Sequence, residues 1–337
     1  MRRTFAAQAW VIWLLAMATI TLITRNPLYI LILLLIARIV QAACATAENR
    51  VKLRFWRLAV IILAFSMLFN ILLVHIGDTV LMTLPEKWWV IGGVVTVEAA
   101  VYGFISGLTL VTLLAIFLAF NAVVPTSELI RLTPRALANI GLIVMIAVTY
   151  VPETMDQLQR IREAQALRGH RLRGLRDWQP VVIPLLIGGL ERAMSLAETM
   201  VARGYGATTN VRHSNVLQLG LLTILVLSLG GWILTFWIGR TGWFLVLAGI
   251  VLVAVISIWL GKQVTHTRYR PRSWSKWDTM VVISAWIPFL LVFFPIPLVD
   301  RSTLFYSPYL RVTLPSFDVL LGLALATLAA PAILVDL

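Results

Sequence analysis

The chain has 337 residues, 60% of them apolar and 13% charged, with a mean hydropathy of +0.91. So much apolar surface exceeds what a soluble core of this size needs; it excludes an ordinary globular enzyme and indicates an all-α polytopic membrane protein. On such a chain a net charge of +13 implies basic loops held at a membrane face, not nucleic-acid binding, and the single Cys44 excludes a disulfide framework or a cysteine-based metal site.

Apolar runs close to the ~20 residues that cross a bilayer fall at 6–23, 27–43, 58–76, 97–120, 216–237, 243–261, 278–296 and 316–335. The first follows Arg2 and Arg3 but precedes no small-residue cleavage site, so it is expected to persist as a helix. A ninth candidate, 136–151, is short and ends at Pro152. Basic-residue counting decides its role. If it does not span and the N-terminus lies inside, 22 Lys and Arg lie inside and five outside; if it spans, the split becomes 11 against 16. Eight spans with both termini cytoplasmic are therefore expected, and 121–215 becomes one cytoplasmic segment. The expected organisation is a four-span module (1–120), that segment (121–215), a fifth span (216–237) and a three-span C-terminal module (238–337).

Three helices are expected in the cytoplasmic segment. The first covers 126–151, with an N-cap signal at Thr126 or Ser127. Pro152 should break or kink the chain. The second covers 152–169, with Glu153 and Asp156 near the positive end of its dipole and Met155, Leu158 and Ile161 on one face. The third follows Pro184 and ends at Gly204, with an apolar stripe of Leu186, Leu190, Ala193, Ala197 and Met200. The last two end alike, in Ala166-Leu167-Arg168-Gly169 and Val201-Ala202-Arg203-Gly204. Glycine past a helix end is a stop signal, and an arginine in the last turn complements the dipole. A fixed guanidinium fork at a helix tip also suits a carboxylate-bearing groove, and two such tips suit a partner made of two similar subunits.

These residues resemble the T component, the transmembrane coupling subunit, of energy-coupling factor (ECF) ABC importers, including the cobalt-type branch. That family carries two Ala-Arg-Gly motifs at the ends of cytoplasmic coupling helices. The second is matched by Ala202-Arg203-Gly204; the first departs as Ala166-Leu167-Arg168-Gly169. "TRNPLY" (24–29), "FNILL" (69–73) and "VPTSEL" (124–129) also match. The resemblance implies a protein of the prokaryotic plasma membrane. It implies two ABC-type ATPase subunits docked on the coupling helices, with Arg168 and Arg203 in their grooves. It further implies a small membrane S component that binds a vitamin or transition-metal ion. The chain itself would be no enzyme and hold no cofactor. The family has one span after the second motif, whereas four apolar runs follow it here.

Two other readings compete. "EAQALRG" (163–169) resembles the coupling loop of a conventional ABC importer permease, but that loop is normally single. An integral-membrane lipid or sugar transferase would need a membrane-proximal carboxylate or histidine cluster. His75, His170, His213 and His266 are scattered and fit no metal-ligand spacing. Glu98 is expected at the membrane interface, Asn70 and Asn121 as contacts between helices, and Arg38 as a snorkelling cation.

Overall fold

The computed structural model describes residues 5–44, 55–74, 76–83, 94–132, 138–169, 174–205, 274–294, 299–309 and 313–335, with scattered positions between 222 and 251. The expected spans at 216–237 and 243–261 lie almost wholly outside the described residues. Two compact units emerge, one from Met1–Leu132 with Arg270–Leu337, the other from Thr133–Tyr269.

The first unit is a helical bundle of α1 (Ala7–Ile23), α2 (Pro27–Cys44), α3 (Phe55–Leu73), α4 (Val97–Val123), α8 (Lys276–Phe293) and α9 (Val319–Leu334). Helix α9 tightens to a 3-10 turn at Thr327–Ala329. The short α5 (Thr126–Ile130) follows α4, with Pro125, not Thr126 or Ser127, at its N-cap. A two-stranded antiparallel ribbon that the sequence did not foretell, β1 (Val80–Thr83) and β2 (Val94–Thr96), precedes α4. Among the described helices α2, α3, α4, α8 and one in the second unit are long and apolar enough to cross a membrane; α1 and α9 are shorter and apolar.

The polar residues that such a chain retains are those that tie helix ends together. Asp278 is only 2% exposed. One of its oxygens accepts from Ser275 N (2.8 Å), closing a capping box at the start of α8, and the other accepts from Ala6 N (2.7 Å) at the start of α1. So α1 and α8 begin at the same end. At the opposite end, fully buried Asn26 donates to Thr303 O (2.8 Å) and Ser316 O (2.7 Å) and accepts from Leu28 N (3.0 Å). Tyr29 OH accepts from Asp318 N at 2.7 Å. The Asn-Pro-Leu-Tyr stretch thus fastens the α1–α2 turn to a segment some 280 residues later. Trp13 Nε1 donates to Leu328 O (2.9 Å) within the bundle, and Cys44 Sγ lies 3.6 Å from Pro331 O, so α9 runs alongside α2 in the same direction.

Helix α3 meets α4 through small residues. A Cβ on Gly103 would lie 2.8 Å from Met67 Cα, and one on Gly107 3.0 Å from Ser66 Cβ. Ser66 Oγ donates to Gly103 O at 2.8 Å. Close backbone approach of this kind holds helices together where lipid removes the hydrophobic driving force. Asn70 bonds its own helix, donating to Ser66 O at 2.9 Å, and Asn121 is exposed. Arg38 lies over the Phe55 ring, 4.4 Å from its centroid. Glu98, in the first turn of α4, is fully buried within the protein. It accepts from Thr79 N (3.2 Å) and Thr79 Oγ1, and the left-handed Gly77 (φ 147°) leaves it room. The carboxylate is buried because the turn before β1 folds over the start of α4 and supplies its donors.

Candidate functional site

The second unit contains α6 (Ala138–Leu167), a 3-10 turn at Leu175–Trp178 and α7 (Gln179–Ala202). Of the break or kink expected at Pro152, the break does not occur, for α6 is one helix of 30 residues that includes it. A proline inside a helix forfeits one hydrogen bond, here the one that would reach Val148 O, and the turns on both sides continue. Polarity changes at that point: 138–151 is apolar, whereas 152–167 carries Glu153, Asp156, Arg160, Arg162 and Glu163. The apolar part is about 21 Å long, short of the ~30 Å hydrocarbon layer.

Helix α7 also begins earlier than expected, at Gln179, with Pro180 in its first turn and Pro184 inside it. Pro184 has no N–H for Pro180 O, and Gln165 Nε2 of α6 donates to that carbonyl instead (3.4 Å). The turn between the helices is held by Gly174 N donating to Asp177 Oδ2 (2.9 Å), and Arg162 sits 6.0 Å from the Trp178 ring centroid.

Three cross-helix pairs define how α6 and α7 meet. Gln165 faces Pro180, Gln157 faces Gly188, and Glu153 pairs with Arg192. As the numbers fall on α6 they rise on α7, so the helices are antiparallel. The contact is centred on Arg192. Its Nη1 lies 3.2 Å from Glu153 Oε1, its Nη2 donates to Gln157 Oε1, and its Nε donates to Gly188 O at 3.1 Å. A Cβ on Gly188 would meet only the Gln157 side-chain amide. Gly188 and Arg192 were not singled out in the sequence, and Glu153 was read there only as a dipole partner.

Both motif ends are built alike. Gly169 (φ 80°) and Gly204 (φ 81°) are left-handed, and nothing lies within 4 Å of a Cβ on either. Gly169 N donates to Ala166 O and Gly204 N to Val201 O, both at 2.9 Å. Tyr205 N reaches back to Met200 O at 3.0 Å, completing a Schellman cap at the second end. Arg168 and Arg203 follow the last helical residues, and Ala166, Arg168, Gly169, Ala202, Arg203 and Gly204 are all exposed. Leu167, which departs from the motif, is 91% exposed and so points away from the hairpin's own packing. The two motifs are not brought together. They occupy opposite ends of the antiparallel pair, each eleven residues beyond the Gln157–Arg192 contact, or about 16 Å of helix. No cluster of three potential metal-ligating side chains occurs among the described residues.

The family model described as "CbiQ: Cobalt transport protein" matches residues 1–214. Several curated proteins named "Energy-coupling factor transporter transmembrane protein EcfT" are similar to the chain. That of Leuconostoc gelidum subsp. gasicomitatum is 38% identical over 74 residues, 20% of this chain and 28% of the relative. That of Streptococcus equi subsp. equi is 29% identical over 196 residues, 49% of this chain and 72% of the relative. The Streptococcus thermophilus protein is 30% identical over 146 residues, 34% of this chain and 55% of the relative. The matched stretch therefore spans as little as about a quarter of a relative's length.

Proposed function

The chain belongs to the CbiQ cobalt transport protein family, and from that premise we propose that it is the T component of an ECF-type ABC importer. In this reading two ATPase subunits dock at the two ends of the α6–α7 hairpin, with Arg168 and Arg203 entering an acidic groove on each. The observation that carries it is the pair of near-identical Arg-Gly caps facing outward at opposite ends of one antiparallel pair. A single arginine cap is explained by the helix dipole. Two matched caps at equal distances from one contact suit a partner with two similar halves. Closure of that partner would move both tips at once, and the Arg192 contact would carry the motion from one helix to the other.

The S component would supply the substrate site for a vitamin or transition-metal ion, and ATP would be hydrolysed by the partners. The unit of α6 and α7 is assigned to the cytoplasmic face of a prokaryotic plasma membrane, with both chain termini on that side. Although α7 is long and apolar enough to span, its second half carries Glu191, Arg192 and Glu198, which favours a surface position.

Copurification tests the reading. The tagged chain is extracted in mild detergent beside the Arg168→Ala/Arg203→Ala variant. Wild type should bring down two ATPases and a small hydrophobic protein, and the variant should lose the ATPases while still inserting. Recovery of no ATPase with wild type, from membranes whose other complexes survive, would sink it.

A further inference from the structure

A cavity of about 320 Å³ opens in the first unit, among the end of α1, the first half of α4 and residues 306–308. Its volume lies at the lower end of small-molecule sites. Its lining changes character along its length. At the α1–α2 turn it presents Thr24, Arg25 and Tyr306, with Tyr102 from α4; further along α4 it is walled by Leu110 and Leu113. Tyr102 and Leu113 are eleven residues apart, about 16 Å along the helix.

One polar group at the turn end lacks a partner among the described residues. Thr24 is 1% exposed and its hydroxyl has no hydrogen-bond partner, a costly arrangement in a buried place. Arg25 donates its backbone N–H to Leu304 O (2.9 Å); among the described residues its guanidinium makes no salt bridge and acts electrostatically on Tyr309. A cation at a mouth level with helix ends, continued by an apolar slot facing the lipid-exposed side of α1 and α4, matches one chemistry. Leu22 and Leu110 at its rim are 64% and 54% exposed, which leaves the slot open sideways. A soluble anion would use the polar end alone and leave the apolar wall without a role.

We propose that this cavity binds one anionic phospholipid, its phosphate held by Arg25 and an acyl chain laid along α4 past Leu110 and Leu113. The site joins the part of the chain that the family model covers to the C-terminal part that it does not, because Tyr306 and Pro308 close its wall. A bound lipid would therefore brace the C-terminal segment against α1 and α4. The proposal does not depend on the coupling role of α6 and α7.

Native mass spectrometry of the full chain tests it, with release from nanodiscs of phosphatidylcholine and phosphatidylglycerol at three to one. Wild type should retain one phosphatidylglycerol under conditions that strip other lipids. Arg25→Gln should lower that retained fraction at least five-fold. Ser106→Phe, which fills the cavity from the wall of α4, should abolish retention of the lipid while leaving the midpoint of thermal unfolding in lipid-free detergent within a few degrees. Equal retention by wild type and both variants, or no preference for phosphatidylglycerol, would overturn the proposal. So would displacement of the lipid by millimolar inorganic phosphate, since it would assign the polar end to a free anion.

Discussion

The two units keep polar groups for different purposes. In the first unit Asn26, Glu98 and Asp278 are buried and fasten backbone to backbone across long sequence separations. In the second the Arg192 cluster joins two side-chain pairs on a partly exposed face; Arg192 and Glu153 side chains are 26% and 53% exposed. A buried polar group without its partner costs much, whereas an exposed pair contributes little. The first arrangement holds a scaffold and the second positions two helices that can still shift. The same residue type illustrates the contrast. Gly103 faces the backbone of a neighbouring helix, while Gly188 faces only the end of a flexible glutamine.

The largest expected effect lies at the tips. Arg168→Ala with Arg203→Ala should lower substrate uptake by reconstituted complexes at least ten-fold, with either single variant intermediate. Uptake unchanged in the double variant would remove the function assigned to the second unit. Next, Asn26→Leu strips Thr303 O and Ser316 O of their donor; with each buried unsatisfied group costing about 1–3 kcal/mol, the detergent-solubilised protein should unfold several degrees lower. Arg192→Met should leave that midpoint almost unmoved yet reduce uptake per ATP hydrolysed, and an equal fall in both midpoints would erase the contrast between the units.

Glycine substitutions sharpen the comparison further. Gly103→Ala forces its Cβ against Met67 Cα, and overpacking of that kind costs about 1–3 kcal/mol. Gly188→Ala displaces only the Gln157 amide and gains up to about 1 kcal/mol of helix propensity, so its unfolding midpoint should stay level or rise. Smallest is Gly204→Asn beside Gly204→Ala. Asparagine tolerates the left-handed conformation better than alanine, so amide exchange at Tyr205 should quicken more in the alanine variant. Identical exchange in both would mean that the cap does not depend on that conformation.

Much of the helix inventory was legible because hydropathy and caps are local properties. Glycines 169 and 204 read as helix stops because a left-handed residue commonly ends a helix, and both indeed adopt it. Pro152 misled because a helix loses only one hydrogen bond at a proline and can continue when its neighbouring turns are sound. The ribbon of β1 and β2 escaped because its strands are only four and three residues long. Glu98 escaped because its donors come from Thr79, which no helical spacing relates to it.

By itself the sequence determined the membrane class, the placement of most described helices and the two matched Arg-Gly ends, since each depends on residues within a few turns of one another. Only the tertiary structure decided that those ends point away from each other, through the antiparallel order of Gln165–Pro180, Gln157–Gly188 and Glu153–Arg192. It alone also decided that α8 and α9 pack with α1 and α2 through Asp278, Asn26 and Trp13. An apolar helix offers lipid and protein equally good surroundings, so its composition does not say which face meets which neighbour. The few buried hydrogen bonds and close glycine contacts make that choice, and their partners lie from tens to hundreds of residues apart.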